Sequence, residues 1–221
     1  MEALVQQFFN LEIMARAAPI VLRGLATSAL VCLAVVPLGL LGGLAVALAM
    51  RARARAVRIA ITALVDLMRA IPPLVLLIFI HAGLPFVGLR PSAFASVCIA
   101  FFLNNSAYYG EIFRAGIESI GRGQWDAARS TGLSATEAAL YVVLPQAVRN
   151  VLPDLVSNTV EVVKLTSLAS VVALPEMLYA ADMARSLTYN ASPIVLAAAV
   201  YLVLLWPAVR LVSRLEHRVG N

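Results

Sequence analysis

Long uncharged stretches of mainly apolar residues constrain this chain more than any other feature of its sequence. The first runs from residue 24 to residue 50, and its 27 residues exceed the roughly 20 that a helix needs to cross a bilayer. Only 13% of the 221 residues are charged, about half the share found in soluble domains. The sequence therefore indicates an integral membrane protein and argues against a soluble enzyme, a disordered chain or a disulfide scaffold.

We predict an all-α protein with five membrane spans, at residues 24–50, 59–89, 91–110, 151–174 and 187–209. The Pro72-Pro73 pair should kink or break the second span. Gly39 and Gly43 in the first span have the spacing that lets two helix backbones approach closely. Residues 1–19 contain two glutamates and no basic leader, so we expect an amphipathic segment at the membrane surface and no signal peptide.

Basic residues in the short loops predict the orientation, because arginine and lysine are retained on the cytoplasmic side. Eleven arginines fall on one side of the five-span arrangement and four on the other. The eleven are Arg51, Arg53, Arg55, Arg58, Arg114, Arg122, Arg129, Arg149, Arg210, Arg214 and Arg218. We therefore predict that the N-terminus is outside and that the C-terminus and the long polar loop are cytoplasmic. The basic residues are spread over these loops, which argues against a nucleic-acid-binding domain.

The sequence contains no recognisable catalytic or metal-binding motif. Its two histidines, His81 and His217, have no zinc-ligand spacing, and Cys32 and Cys98 both lie in apolar runs. Its one lysine, Lys164, does not follow a glycine-rich phosphate loop. We therefore expect no cofactor and no metal, and if the protein takes part in a process that uses ATP, another chain must hydrolyse the ATP.

The most informative segment is residues 107–155. Asp126-Ala127-Ala128, Gly132 and Leu144-Pro145 resemble the cytoplasmic EAA-type loop of ABC importer permeases. Both flanks, together with MRAIPPLVLLIFIHAGLP in the second span and KLTSLASVVALPEML in the fourth, resemble the permease family for polar amino acids, which takes up histidine, glutamine, glutamate, arginine and opines. The resemblance covers residues 20–218. It implies a single type I importer permease domain over residues 1–221, with the EAA-type loop at about residues 114–150.

The resemblance also implies how the loop works. In the family, this piece inserts into a cleft of the ATPase subunit. The matching positions are Gly123, Asp126, Ala127, Ala128, Gly132, Leu144 and Pro145. Independently, residues 123–133 predict a short helix in which the two alanines permit close docking, Asp126 provides a charged anchor and Gly132 permits the turn that ends the helix. The usual glutamate of the motif is replaced by Asp126.

Polar residues within the spans are candidates for the substrate pathway, because charges inside a membrane usually face a protein interior or a cavity. They are Arg69, Asn104, Tyr108, Glu111, Glu161, Lys164, Thr166 and Ser167. Most of them also have a structural alternative. Asp66 and Arg69 are three residues apart and can form an ion pair, and so can Glu161 and Lys164. Glu111 can make a structural contact that fixes the loop. Asn104 and Tyr108 can form hydrogen bonds between helices. Leu76 stands where the family usually has glutamine.

The resemblance implies the membrane subunit of an ATP-driven importer for a polar amino acid, located in the bacterial inner membrane. It would assemble with two ATPase subunits, a second copy or a homologous permease, and an extracytoplasmic binding protein. The alternative is an ion-coupled carrier or channel that uses Asp66, Glu161 and Lys164 as ion sites. Five spans and a docking loop do not suit that alternative. The sequence leaves open the amino acid and the choice between homodimer and heterodimer.

Overall fold

Apolar runs that enter a membrane must satisfy their own backbone hydrogen bonds, and this chain does so with helices. The computed structural model describes residues 1–219, with side chains up to Arg214, and its regular structure over that range is helical throughout. The α-helices are α1 (Glu2–Phe8), α2 (Leu11–Ala49), α3 (Arg55–Ala70), α4 (Pro73–Gly83), α5 (Ala93–Glu118), α6 (Arg122–Ser130), α7 (Ala135–Glu137), α8 (Leu144–Asn150), α9 (Leu152–Leu165), α10 (Met177–Thr188) and α11 (Ser192–Val219). Leu84–Val87 and Thr166–Val172 are 3₁₀-helical, and Ala138–Val143 is π-helical.

Three helical stretches within the described residues are long and apolar enough to cross a membrane: Glu2–Ala49, Leu152–Val172 and Ser192–Arg214. The interrupted stretch of α3 with Pro73–Val87 would make a fourth. The remaining predicted span, residues 91–110, lies mainly in α5, which is long enough at 26 residues but carries polar groups such as Asn104 and Asn105. Each predicted span therefore has a helical counterpart, and the third is too polar to stand out by hydropathy alone.

Several predicted boundaries change in the structure. The first predicted span begins at residue 24, whereas α2 begins at Leu11 and has 39 residues. Only Glu2–Phe8 forms a separate helix in the predicted surface segment. The third predicted span ends at residue 110, whereas α5 continues through the charged residues that follow, as far as Glu118. The predicted break in the second span is confirmed, since α3 ends at Ala70 and α4 begins at Pro73.

The chain forms two compact units. The first comprises Met1–Pro37, Ile71–Phe101 and Val160–Val209. Its apolar core consists of the buried residues Ala17, Val21, Met177, Ala181, Ala184 and Ala197, contributed by α2, α10 and α11. Polar bonds hold α1 in this unit: the Asn190 amide donates to the Gln6 carbonyl (2.9 Å), and the Ala191 N–H donates to the Gln7 carbonyl (3.0 Å).

The second unit comprises Leu38–Ala70, Phe102–Thr159 and the chain from Arg210 onwards. Its main core consists of Ala47, Tyr109, Phe113, Ile117, Val143, Ala147, Val151 and Leu155. Within this unit, Gly43 of α2 packs directly against α5. A Cβ atom on Gly43 would lie 2.5 Å from the Tyr109 Cβ and 2.8 Å from the Gly110 nitrogen. The close helix approach predicted from the glycine spacing is therefore confirmed at Gly43.

Candidate functional site

The predicted docking segment forms helix α6, which is shorter than the helix predicted at residues 123–133. It ends at Ser130, and the Thr131 hydroxyl donates a 2.8 Å hydrogen bond back to the Ala128 carbonyl. Gly132 then adopts φ +90°, a backbone conformation that residues with a Cβ atom rarely adopt. Arg129 closes the turn by donating a 3.0 Å bond to the Leu133 carbonyl. Gly132 therefore has the predicted turn conformation, but the helix stops two residues before it.

The two faces of α6 differ in exposure. Gly123, Asp126, Ala127 and Ser130 are exposed, and their spacing of three, one and three residues puts them on one side of an α-helix. We call these four residues the docking face. Ala128 is buried, with an exposed fraction of 6%. It is therefore not available on the exposed docking surface to which the sequence interpretation assigned it.

A half-buried tryptophan connects α6 to the core of the second unit. Trp125 packs against the cluster that contains Phe113, Ile117 and Val143. Leu144, at the start of α8, is half-buried and lines a small cavity together with Trp125, whereas Pro145 is exposed. The docking face is thus backed by large apolar side chains of α5 and of the π-helical segment that precedes α8.

Short polar contacts fix the chain that follows α6. Ser134 and Glu137 form a reciprocal capping box, in which each side chain accepts a bond from the other residue's backbone N–H. These bonds with Ser134 hold the pKa of the Glu137 carboxyl below its usual value. Farther along, the Gln146 amide donates a 3.3 Å bond to the Gln124 side chain. The segment after the turn is therefore held by hydrogen bonds within itself and by a hydrogen bond to α6.

A charge network lies at the cytoplasmic end that we predicted for α5. Glu111 contacts Arg114 at 2.6 Å and Arg69 at 3.5 Å, and Arg114 also contacts Glu118 at 2.7 Å. Hydrogen bonds to Glu111 and then to Glu118 raise the pKa of the Arg114 guanidinium. The pairing of Asp66 with Arg69 considered from the sequence is wrong, because the carboxylate that reaches Arg69 belongs to Glu111. These contacts support the structural alternative for Glu111, in which it holds neighbouring segments together.

The polar side chains of α5 bond to the end of α3. The Asn104 amide donates a 3.0 Å bond to the Met68 carbonyl, and the Tyr108 hydroxyl donates a 3.3 Å bond to the Arg69 carbonyl. The Arg69 guanidinium also lies 5.6 Å from the centre of the Tyr108 ring. Since α3 ends just before the proline break, its last carbonyls have no partner in their own helix, and α5 provides donors for them. Helix-to-helix bonding therefore accounts for Asn104 and Tyr108.

The remaining pathway candidates lie in the first unit, around the end of α9. Lys164 contacts Glu161 at 2.6 Å, and their side chains are 48% and 59% exposed. The pair predicted from their spacing is therefore formed, but it is not internal. Thr166 is buried and donates a 2.8 Å bond to the Val163 carbonyl, whereas Ser167 donates a 2.8 Å bond to the Lys164 carbonyl.

A fully buried carboxylate, Glu176, was not singled out from the sequence. It caps α10, because its oxygens accept bonds from the Leu178 and Tyr179 N–H groups at 2.8 and 2.7 Å. The Ser28 hydroxyl, on α2, donates a longer bond of 3.5 Å to the same carboxylate. Its position directly before the helix start is the one signal in the sequence, and that signal indicates a cap and not burial.

Comparisons with known proteins identify the family. Residues 36–221 match the family model described as "Binding-protein-dependent transport system inner membrane component". The chain belongs to this family. Within the described residues, no group of three or more metal-ligating side chains is found that could hold a metal ion. By its family the chain is a membrane component of a binding-protein-dependent transport system, and the EAA-type motif with its short exposed helix fits the family.

Individual permeases are similar over most of their length. The chain is 33% identical to the probable amino-acid ABC transporter permease YckA of Bacillus subtilis, covering 78% of this chain and 76% of the relative. It is 38% identical to the probable glutamine ABC transporter permease GlnM of the same organism, covering 72% and 74%. These relatives favour an ABC permease over an ion-coupled carrier.

Solved structures agree with this assignment. The crystal structure of an amino acid ABC transporter with histidines has a chain that superposes with a TM-score of 0.84 at 32% identity, covering 93% of this chain and 96% of the other. A chain of the MetNI methionine ABC transporter superposes with a TM-score of 0.76 at 15% identity and shows the fold alone. The fold is that of a type I ABC importer permease.

Proposed function

We propose that this binding-protein-dependent permease imports a polar amino acid or a related compound, and that the docking face of α6 couples it to ATPase subunits. The docking face is the observation that carries the proposal. It is small, exposed and bounded by the Gly132 turn, and it is backed by a packed core. Such a surface can fit into a cleft of another protein. A displacement of the surface is then transmitted to the helices packed behind it.

The route of that displacement follows from the contacts of α6. A partner that pushes on Asp126 or Ala127 also moves Trp125 and Ala128, which face the protein. Trp125 rests on residues of α5 and of the π-helical segment, so both must respond. Aspartate is one methylene shorter than the glutamate usual in the motif, and Asp126 would keep the charged contact at a slightly different distance.

The assembly that we propose contains two ATPase subunits, a second permease that is either identical or homologous, and an extracytoplasmic binding protein. The class of substrate is proposed because relatives named for amino acid or glutamine transport align over most of this chain. Purification of the complex with its bound ligand, followed by mass spectrometry, tests the proposal. We expect an ATPase, a permease dimer and a polar amino acid; a purified permease that retains no ATPase under mild conditions would contradict the assembly.

We propose that the protein lies in the bacterial inner membrane with its N-terminus outside and its C-terminus in the cytoplasm. The test uses single cysteines in a variant in which Cys32 and Cys98 are replaced by alanine. An impermeant thiol reagent applied to intact cells should label Ser186→Cys and leave Ser134→Cys and Ser213→Cys unlabelled until the cells are opened. All three positions are exposed, so labelling reports the side of the membrane. Labelling of position 134 from outside would contradict the orientation.

For the pathway, we propose that Glu161 faces the cationic group of the substrate. Its carboxylate is 59% exposed although it lies in a predicted span, so a passing ammonium or guanidinium group can reach it. Glu161→Gln should then raise the substrate concentration for half-maximal uptake by about tenfold, because hydrogen bonds to charged groups contribute about 1.5–3 kcal/mol. Uptake by purified complex in liposomes measures this change.

The matched control for Glu161→Gln is Asp182→Asn. Asp182 and Arg185 also form a 2.6 Å pair three residues apart with similar exposure, but they lie in α10, outside the predicted spans. Both variants should change the free energy of unfolding by less than about 1 kcal/mol, as expected for exposed pairs. If the substrate concentration for half-maximal uptake is unchanged in a stable Glu161→Gln complex, Glu161 does not contact the substrate and serves as the ion-pair partner of Lys164.

A further inference from the structure

Arg51 lies where the first long helix ends, and its side chain reaches α6. The helix α2 ends at Ala49, and the Arg51 N–H donates a 3.1 Å bond to the Leu48 carbonyl in the turn that follows. The Arg51 guanidinium carbon is 5.0 Å from the centre of the Trp125 ring. This is within the distance at which a guanidinium is attracted to the face of an indole.

The packing around Trp125 is incomplete on the side that faces α2. A cavity of about 20 Å³ lies there, with room for about one water molecule. Its walls are mainly apolar, and Arg51 is the one charged residue among them; the other lining residues are Leu48, Ile117, Trp125, Ala139, Leu140, Val143 and Leu144. Apolar packing therefore does not enclose the indole completely, and the guanidinium completes its surroundings.

The contact with the Trp125 ring orients the Arg51 side chain. Among the residues with described side chains, no carboxylate lies within ion-pair distance of Arg51. A guanidinium is weakly hydrated and stacks readily on aromatic rings, so the contact is compatible with the exposed position of Arg51. Trp125 is half-buried, and the opposite side of α6 carries the docking face.

We infer that Arg51 is a positioning residue that links α6 to the end of α2, so that a displacement of the docking face is passed to α2 as well as to α5. This inference rests on the proposed coupling function of α6. The contact places a cationic side chain of the α2 turn directly on the one large aromatic residue of α6. Near this turn, α2 also packs closely on α5 at Gly43, so the two helices respond together.

The inference predicts a loss of coupling without a loss of assembly. In liposomes that contain the complete transporter, Arg51→Gln should lower the amino acid taken up per ATP hydrolysed by about fivefold, within the range expected for one cation–π contact. Arg51→Lys keeps a cation and should retain more of the coupling. The control is Arg53→Gln, which removes an exposed arginine of the same loop and should match the unmodified protein.

A double-mutant cycle separates the contact from a general effect of charge. If Arg51 acts through the indole, Arg51→Gln should add no further loss in a Trp125→Leu protein. Fluorescence gives an independent measurement in a Trp206→Phe protein, where Trp125 is the remaining tryptophan. Arg51→Gln should shift its emission, and Arg53→Gln should not.

The outcomes distinguish this inference from the proposed function. If unmodified protein shows ATP-coupled uptake that Ala127→Trp abolishes, but Arg51→Gln behaves like Arg53→Gln in coupling and in fluorescence, the link through Arg51 is wrong and the docking function stands. If unmodified protein shows no ATP-coupled uptake at all, the proposed function itself fails. Additive losses in the double mutant would also overturn the role of the contact.

Discussion

Replacing Ala127 by tryptophan should abolish amino acid uptake while leaving the permease folded in the membrane. Ala127 is exposed in the middle of the docking face, so the new side chain has room in the isolated permease. A packed interface tolerates added bulk poorly, and a cost of about 1–3 kcal/mol corresponds to a loss of binding of up to roughly 100-fold. We expect the ATPase to dissociate during purification and uptake to fall to background.

Two further variants show whether this loss comes from docking. Ala56→Trp adds the same bulk to an exposed alanine in the first turn of α3, away from the docking face, and should transport normally. Ala128→Trp should lower both stability and uptake, because Ala128 is buried and a large side chain would force α6 off its own core. Full uptake and ATPase retention in Ala127→Trp would show that the docking face is not the coupling surface.

Replacing Gly43 by alanine should cause the second large effect, a loss of stability. The added Cβ atom would meet the Tyr109 Cβ at 2.5 Å, the Gly110 nitrogen at 2.8 Å and the Tyr109 carbonyl carbon at 2.9 Å. Two of these atoms belong to the backbone of α5, so no side-chain rotation can relieve the contact and the helices must separate. We expect the free energy of unfolding to fall by about 1–3 kcal/mol, measured by denaturant unfolding in detergent.

The matched control for this prediction is Gly83→Ala. Gly83 is also a helical glycine, but apart from its chain neighbours and the backbone of its own helix, no atom lies within 4 Å of the position that its Cβ would occupy. Alanine there should be neutral or slightly stabilising, because it removes backbone freedom from the unfolded chain. Equal stability of the two variants would contradict the close packing of α2 on α5.

The helices and the docking segment were predictable because local rules determine them. Long uncharged runs in a membrane satisfy their backbone hydrogen bonds as helices, Pro73 lacks an N–H and therefore suits the first turn of a helix, and Gly132 supplies a turn conformation that other residues rarely adopt. The EAA-type motif then indicated the segment that forms α6, for which we propose the docking role. Each of these conclusions depends on the residues of one segment and their immediate neighbours.

The contacts between segments were not predictable in the same way. Arg69 has a carboxylate three residues away in Asp66, but its long side chain reaches Glu111 on another helix. The alanines at 127 and 128 are adjacent and of the same type, and the side of α6 that packs against the rest of the second unit determines which of them is exposed. Glu176 is buried because α10 lies against Gly24 of α2, an approach that no local pattern indicates.

We expect ATP hydrolysis to drive import through this permease. The most direct test incorporates the permease into liposomes with the ATPase that co-purifies with it, adds the binding protein, and measures amino acid uptake. We predict uptake that requires both hydrolysable ATP and the loaded binding protein, with ATP hydrolysis stimulated by that protein. Uptake driven by a proton or sodium gradient in the absence of ATP would contradict the account.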